Sequence, residues 1–194
     1  LLKVQMYIAK SDYAKIYSDY EEVIDFFRVL QKGEVLSDFC KTNGVVIEEI
    51  QQIIEEYNHL EGYVEKHNEQ YVADRMIEEK EDLDNILKEI DPNVILDEDQ
   101  RKVVLTDEDY SLVIAGAGAG KTTTVAAKVK YLVEKKKVDP SQILVISFTN
   151  KAVNELRDKI QKGLHIECPI ATFHSTGNAI LHKHSPEENM TIVD

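Results

Sequence analysis

Through the first ninety residues the apolar positions recur at intervals of three and four, the period of helices that bury one stripe and show water the rest. Ser18-Asp-Tyr-Glu21 has the form of a capping box and is followed by Val23, Phe27 and Leu30 at helical spacing, which predicts a helix starting there. From Gly44 a second stripe runs through Val46, Ile50, Ile53, Ile54, Tyr57, Leu60 and Val64. A third extends from about Asn68 to Ile90 through Val72, Met76, Leu83 and Leu87, with acids on its other faces. Asp91-Pro92 closes it, because proline denies its predecessor the helical region. Stripes of this kind serve helix-on-helix packing, and their acidic outer faces read as solvated.

Beyond Pro92 short apolar runs alternate with helical stretches. Ser111-Leu-Val-Ile-Ala115 is a predicted strand, followed by a helix from Lys121 to about Lys137. Ile143-Leu-Val-Ile-Ser-Phe148 is a second, followed by a helix from about Lys151 to Lys162 that carries Val153, Leu156 and Ile160. Pro169-Ile-Ala-Thr-Phe173 is a third, with a short helix through Ile180 and Leu181 after it. Continuous apolar strands between helices predict an α/β arrangement, a parallel sheet covered on both faces. The pattern divides the chain into an all-helical N-terminal region, 1–92, and an α/β part, 93–194.

A length of 194 residues lies between one domain and two, and 43% apolar with 30% charged residues is ordinary globular composition. The net charge of −13 would argue against a nucleic-acid partner if it were evenly spread. Residues 1–96 hold 22 acids against 10 bases, whereas residues 97–194 hold 14 against 13. The second half is near neutral and can present a local basic face. No apolar run approaches the ~20 residues of a membrane helix, and nothing at the start has the form of a signal peptide. Cys40 and Cys168 are too few and too distant for a disulfide framework or a metal site. The expectation is a reduced, cytoplasmic protein without a membrane partner.

The chemistry concentrates where the first predicted strand meets its helix. Ala115, Gly116, Ala117, Gly118, Ala119 and Gly120 precede Lys121, Thr122 and Thr123. Triphosphate oxygens need several donors converging on one small volume, and only residues without bulky side chains let the backbone approach that closely. The helix start adds free N–H groups and partial positive charge. Lys121 then serves the β and γ phosphates of ATP, and the Thr122 hydroxyl is a ligand for Mg2+. The strict P-loop pattern begins with Gly, where this chain has Ala115.

The flanking residues narrow the reading. Leu96-Asp-Glu-Asp-Gln100-Arg101 stands upstream; Ile146-Ser-Phe-Thr-Asn-Lys-Ala152 with Glu155-Leu-Arg157, then Ala171-Thr-Phe-His-Ser175, stand downstream. This ordered set resembles the N-terminal motor core of superfamily 1 DNA helicases of the UvrD/Rep type, over about residues 96–182. The lead-in Asn68-Glu-Gln-Tyr-Val72 through Asn85-Ile86 is similar to helicase IV-type members with an N-terminal helical extension. The resemblance implies an incomplete RecA-like P-loop sheet and an ATP-dependent DNA helicase or translocase, with ATP and Mg2+ as cofactors. It implies Gln100 on the adenine, and Phe148, Thr149, Asn150, Thr172, Phe173 and His174 in the segments that contact single-stranded DNA. From the residues alone, Phe148 at a strand end reads equally as core. Thr123 departs from the family, many of whose members carry an arginine there that helps hold the nucleotide.

The family's motif II, an apolar strand ending in paired acids, is not found, nor are the arginine fingers of a second RecA-like domain. Thr191-Ile-Val-Asp194 lies too soon after the third motif to be motif II. The chain therefore reads as an N-terminal fragment of a helicase, inactive alone. The competing reading is a nucleotide-responsive, helicase-like protein that binds RNA polymerase through its acidic helices.

Overall fold

The computed structural model describes residues 5–184, so Thr191–Asp194 lie outside the described residues. The chain forms two compact units, one comprising Leu1–Glu78 with Thr106–Leu112 and the other Glu79–Leu105 with Val113–Asp194.

The first unit is helical: α1 (Lys10–Lys32), α2 (Leu36–Asn43), α3 (Ile47–Asn58) and α4 (Leu60–Glu78). Ser18–Glu21 caps nothing, because α1 begins a full two turns earlier. Its start is fixed by acids instead: Asp12 accepts from the Ala9 N–H, Glu108 from the Lys10 N–H, and Asp109 from both the N–H and hydroxyl of Ser11. These carboxylates satisfy donors that a helix N-terminus otherwise leaves unpaired. Ile24, Leu36, Cys40, Ile50 and Ile54 make one core, lined by Phe27, Leu30 and Phe39. Ile8, Tyr13, Leu60 and Val64 make a second. Beside it the buried Asn68 amide accepts from the Ile8 N–H at 2.9 Å and donates to the Ile8 carbonyl at 2.8 Å.

The second unit holds α5 (Lys80–Asn85), α6 (Glu98–Leu105), α7 (Lys121–Glu134), β1 (Val145–Ser147), α8 (Asn150–Arg157), β2 (Ile170–Thr172) and α9 (Phe173–His184). A π-helical turn, Asp158–Gly163, follows α8. β1 and β2 pair in parallel, Val145 opposite Ile170 and Ser147 opposite Thr172. Val104, Leu105, Ala126, Ala127, Val153, Ile160, Cys168 and Ile170 are buried in the unit's core. Burial in apolar surroundings pushes the Cys168 thiol pKa up, the mark of an inert packing cysteine.

Helix and parallel strand alternate as the sequence predicts, but the sheet is smaller. Among the described residues only two strands pair. Ser111–Ala115 is not one of them, and Leu112 and Ile114 are each about nine-tenths exposed. A strand exists by virtue of its ladder partners. This run has the composition of a doubly covered strand but, among the described residues, no neighbour to pair with.

Candidate nucleotide and strand-end site

α6 opens with a reciprocal cap. Asp97 Oδ1 accepts from the Gln100 N–H at 2.8 Å, and Gln100 Oε1 accepts from the Asp97 N–H at 3.1 Å. The other end of the Gln100 amide donates from Nε2 to the Ala119 carbonyl at 3.3 Å. One side chain thus spans the helix start and the Gly-rich loop. Arg101 supports it from behind, donating from Nε to the Leu96 carbonyl at 2.8 Å and pairing with Asp84 of α5. Hydrogen bonds from Arg101 and Lys80 hold the Asp84 carboxyl below the usual carboxylate range.

The loop itself is shaped by its glycines. Gly118 (φ +78°) and Gly120 (φ +75°) occupy the left-handed region, where side chains with a Cβ are strained. Gly120 is doubly constrained: a Cβ there would stand 2.5 Å from Gln100 Nε2. The turn carries the chain into α7, whose first residue is Lys121. Lys121 Nζ folds back over the loop, donating to the carbonyls of Gly116 at 2.7 Å and Ala115 at 3.3 Å. Thr122 and Thr123 follow on the first turn, both half-buried. α7 is fixed below: Lys128 donates to the Val104 carbonyl at 2.8 Å, and the buried Lys130 pairs with Glu89 at 2.8 Å. That pairing lowers the Glu89 pKa.

The second group lies at the carboxyl ends of the paired strands. Phe148 follows β1 and is 80% exposed, so the reading of it as core is not what the structure contains. Thr149 is the N-cap of α8, its hydroxyl accepting from the Ala152 N–H at 3.2 Å, and Asn150 is the helix's first residue. At the end of β2, Thr172 Oγ1 accepts from the Ser175 N–H and Ser175 Oγ from the Thr172 N–H, each at 3.1 Å, which caps α9. The caps turn both chains outward at the same edge. There the Phe148 ring lies edge-on to His174 at 6.4 Å, and His174 lies edge-on to Phe173, itself 68% exposed. Three unsaturated rings on one sheet edge offer a surface on which flat ligands stack.

The structure therefore joins Gln100 to the loop, and Phe148 and Phe173 each to His174. Among the described residues no hydrogen bond or ring contact links the two groups. Sequence reasoning did not single out Ser175 as a capping partner, nor Lys159, which donates from Nζ to Thr123 Oγ1 at 3.0 Å. The Thr172-x-x-Ser175 spacing was a readable cap signal. Nothing in local sequence points from residue 159 to residue 123.

The Thr122 hydroxyl, like that of Thr123, has the chemistry of an Mg2+ ligand; Mg2+ commonly takes a few protein oxygens and fills its octahedron with phosphate and water. No group of three His, Cys, Asp or Glu side chains could hold a metal ion among the described residues. Among these residues, too, no helix is long and apolar enough to cross a membrane.

Comparison with known proteins brings these observations together. The family described as UvrD/REP helicase N-terminal domain matches residues 96–192. A "Probable DNA helicase" of Mycoplasma pneumoniae is 39% identical over 104 residues, covering 51% of this chain and 20% of the relative. An "ATP-dependent DNA helicase PcrA" of Staphylococcus aureus is 37% identical over 103 residues, covering 50% and 14%. A "Probable DNA helicase II homolog" of Mycoplasma capricolum is 37% identical over 107 residues, covering 52% and 15%. The chain thus spans 14–20% of the length of these relatives.

Proposed function

The chain belongs to the UvrD/REP helicase N-terminal domain family, and from that premise we propose that it is the ATP-binding entry of a cytoplasmic, ATP-dependent DNA helicase or translocase. Residues 93–194 form part of a RecA-like motor domain, and residues 1–92 a helical region ahead of it. Gly116, Gly118 and Gly120, with Ala115, Ala117 and Ala119, cradle the triphosphate with backbone N–H groups. The Lys121 ammonium leaves its carbonyl partners for the β and γ phosphates, and the Thr122 hydroxyl is a protein ligand to Mg2+, which draws charge from the phosphate oxygens when bound. Gln100 meets the adenine edge, its amide able to donate and accept at once. Phe148, Phe173 and His174 stack on bases of a single strand, with Thr149, Asn150 and Thr172 beside its backbone.

The observation that carries this reading is the loop's geometry: two left-handed glycines, a lysine folded over the loop, and a glutamine bonded to its backbone, all at the start of a helix. A flexible glycine-rich turn would require none of these. Calorimetric titration with a non-hydrolysable ATP analogue and Mg2+ tests it. The chain should bind, and Lys121→Ala should lose most of the affinity; equal affinities would overturn the reading.

A further inference from the structure

Only part of the apolar surface of α1 enters the core that Ile24 makes with α2 and α3. Tyr20, Val23 and Phe26 remain about half exposed. Successive steps of three residues turn them by about 60° each, so they lie along an arc of about 120° that also contains the half-buried Phe27 and Leu30. The face continues onto α2, where the Phe26 ring lies edge-on to Phe39 at 5.5 Å. Val35, the N-cap residue of α2, is about half exposed as well. Its Cγ2 lies 3.7 Å from where a Cβ on Gly33 would stand, and Gly33 follows Phe26 by about two turns on the same side of α1. A contiguous exposed apolar face of this kind marks an interaction surface.

Its border is acidic. Asp19 stands one turn before Val23 and Glu22 one turn before Phe26; Glu34 directly precedes Val35, and Asp38 stands one turn after it. All four carboxylates are exposed, and none of them meets a cation among the described residues. Glu34 is held there against its backbone preference. It sits at φ +58°, the left-handed position after α1 that favours glycine, while Gly33 before it is at φ −80°.

These charges select the occupant. Residues 1–96 hold 22 acids against 10 bases, so a nucleic acid, an anionic membrane and a second copy of this chain all arrive with like charge. An apolar strip between carboxylates is complemented by a helix whose apolar face is flanked by lysine or arginine. We propose that the α1–α2 face docks a basic amphipathic helix of a partner protein. Its apolar side chains pack on Phe26 and Phe39, and its cations stand over Asp19, Glu22, Glu34 and Asp38. None of these residues belongs to the glycine-rich loop, so this surface and the nucleotide site stand or fall separately.

The 194-residue chain is titrated with a labelled helical peptide of leucine and lysine, its leucines on one face, and with a peptide of the same composition in shuffled order. Fluorescence anisotropy near physiological salt, where distant exposed charges are screened, reads both. The ordered peptide should bind at least about tenfold more tightly than the shuffled one. Val23→Ser with Phe26→Ser should abolish that preference. Ile77→Ser, at an exposed apolar position on α4 outside this core, should keep it. Glu34→Gly should raise the melting temperature by relieving the left-handed glutamate, yet weaken the ordered peptide about threefold, the scale of one exposed ion pair. That opposition decides the matter if the serine variant does not fold. Equal binding of the two peptides, or a Glu34→Gly chain that binds the ordered peptide as tightly as the natural sequence does, would overturn the proposal. So would dimerisation in sedimentation that Val23→Ser with Phe26→Ser abolishes, since the face would then join two copies of the chain. A longer protein containing this chain that fails to bind the ordered peptide would overturn it too, since the face would then be covered from within.

Discussion

Gly120 and Gly116 stand four residues apart in the same loop, and their backbones ask for different things. Gly120 sits at φ +75° with the Gln100 amide against it, whereas Gly116 is outside the left-handed region and has open space where a Cβ would go. Gly120→Ala should therefore cost about 1–3 kcal/mol, the range for a residue held in a strained backbone region. Gly116→Ala should change stability by less than about 1 kcal/mol. Urea unfolding of the two variants measures the difference, and equal losses would show that the loop does not hold this geometry. Acid gives a second test on single groups. Asp84 and Glu89 both have carboxyl pKa values lowered by their cationic partners. A carboxylate whose pKa is lower folded than unfolded stabilises the fold above the unfolded value, and that stability is lost as pH falls through the folded value. The melting temperature should thus drop on acidification below about pH 4. The drop should be smaller in the Asp84→Asn, Glu89→Gln double variant, which has no such proton to take up; an identical profile would count against these pairings.

The elements show which signals a sequence carries and which it does not. The α7 start and the alternation of helix with parallel strand follow from glycine placement and apolar runs, both of them local. The break between α3 and α4 at His59 and that between α4 and α5 at Glu79 involve neither glycine nor proline. A continuous stripe of apolar residues therefore read through both. Ser111–Ala115 has strand composition without strand structure, because pairing depends on other segments and not on the run itself. Phe148 is the same lesson at the site: its exposure depends on where α8 turns away, which its neighbours Thr149 and Asn150 decide. Thr149→Ala should cost about 1 kcal/mol of stability through the lost N-cap. Phe148→Ala should leave the melting temperature unchanged, since the ring is 80% exposed. In a longer protein containing this chain, Phe148→Ala should weaken single-strand binding by about 1–3 kcal/mol, one stacked base, regardless of sequence. Anisotropy with a labelled oligonucleotide, read beside thermal unfolding, decides this. A lowered melting temperature with unaltered DNA affinity would make Phe148 a packing residue.

At the scale of the whole molecule, the glycine-rich loop proposed to hold the nucleotide and the aromatic strand-end edge occupy one compact unit, while the bulk of the negative charge belongs to the N-terminal helices. The groups proposed to hold phosphate are the loop's backbone N–H groups, Lys121 and the Thr122 hydroxyl, none of them an acid that positions an attacking water. Positioning and charge stabilisation supply nearly all of phosphoryl-transfer catalysis, and a single arginine finger is worth about 10³–10⁵ in rate. The 194-residue chain should accordingly bind ATP without appreciable turnover; phosphate release stimulated by single-stranded DNA, from a preparation free of other ATPases, would contradict this. The central claim is that the loop from Ala115 to Thr123 is where ATP·Mg binds. Amide hydrogen exchange along the chain, with and without the non-hydrolysable analogue and Mg2+, tests it most directly. The account predicts slowed exchange at Gly116–Thr123 and at the start of α6 around Gln100, with α1–α3 unaffected. Unchanged exchange across the loop under saturating analogue, or protection confined to the N-terminal helices, would contradict it.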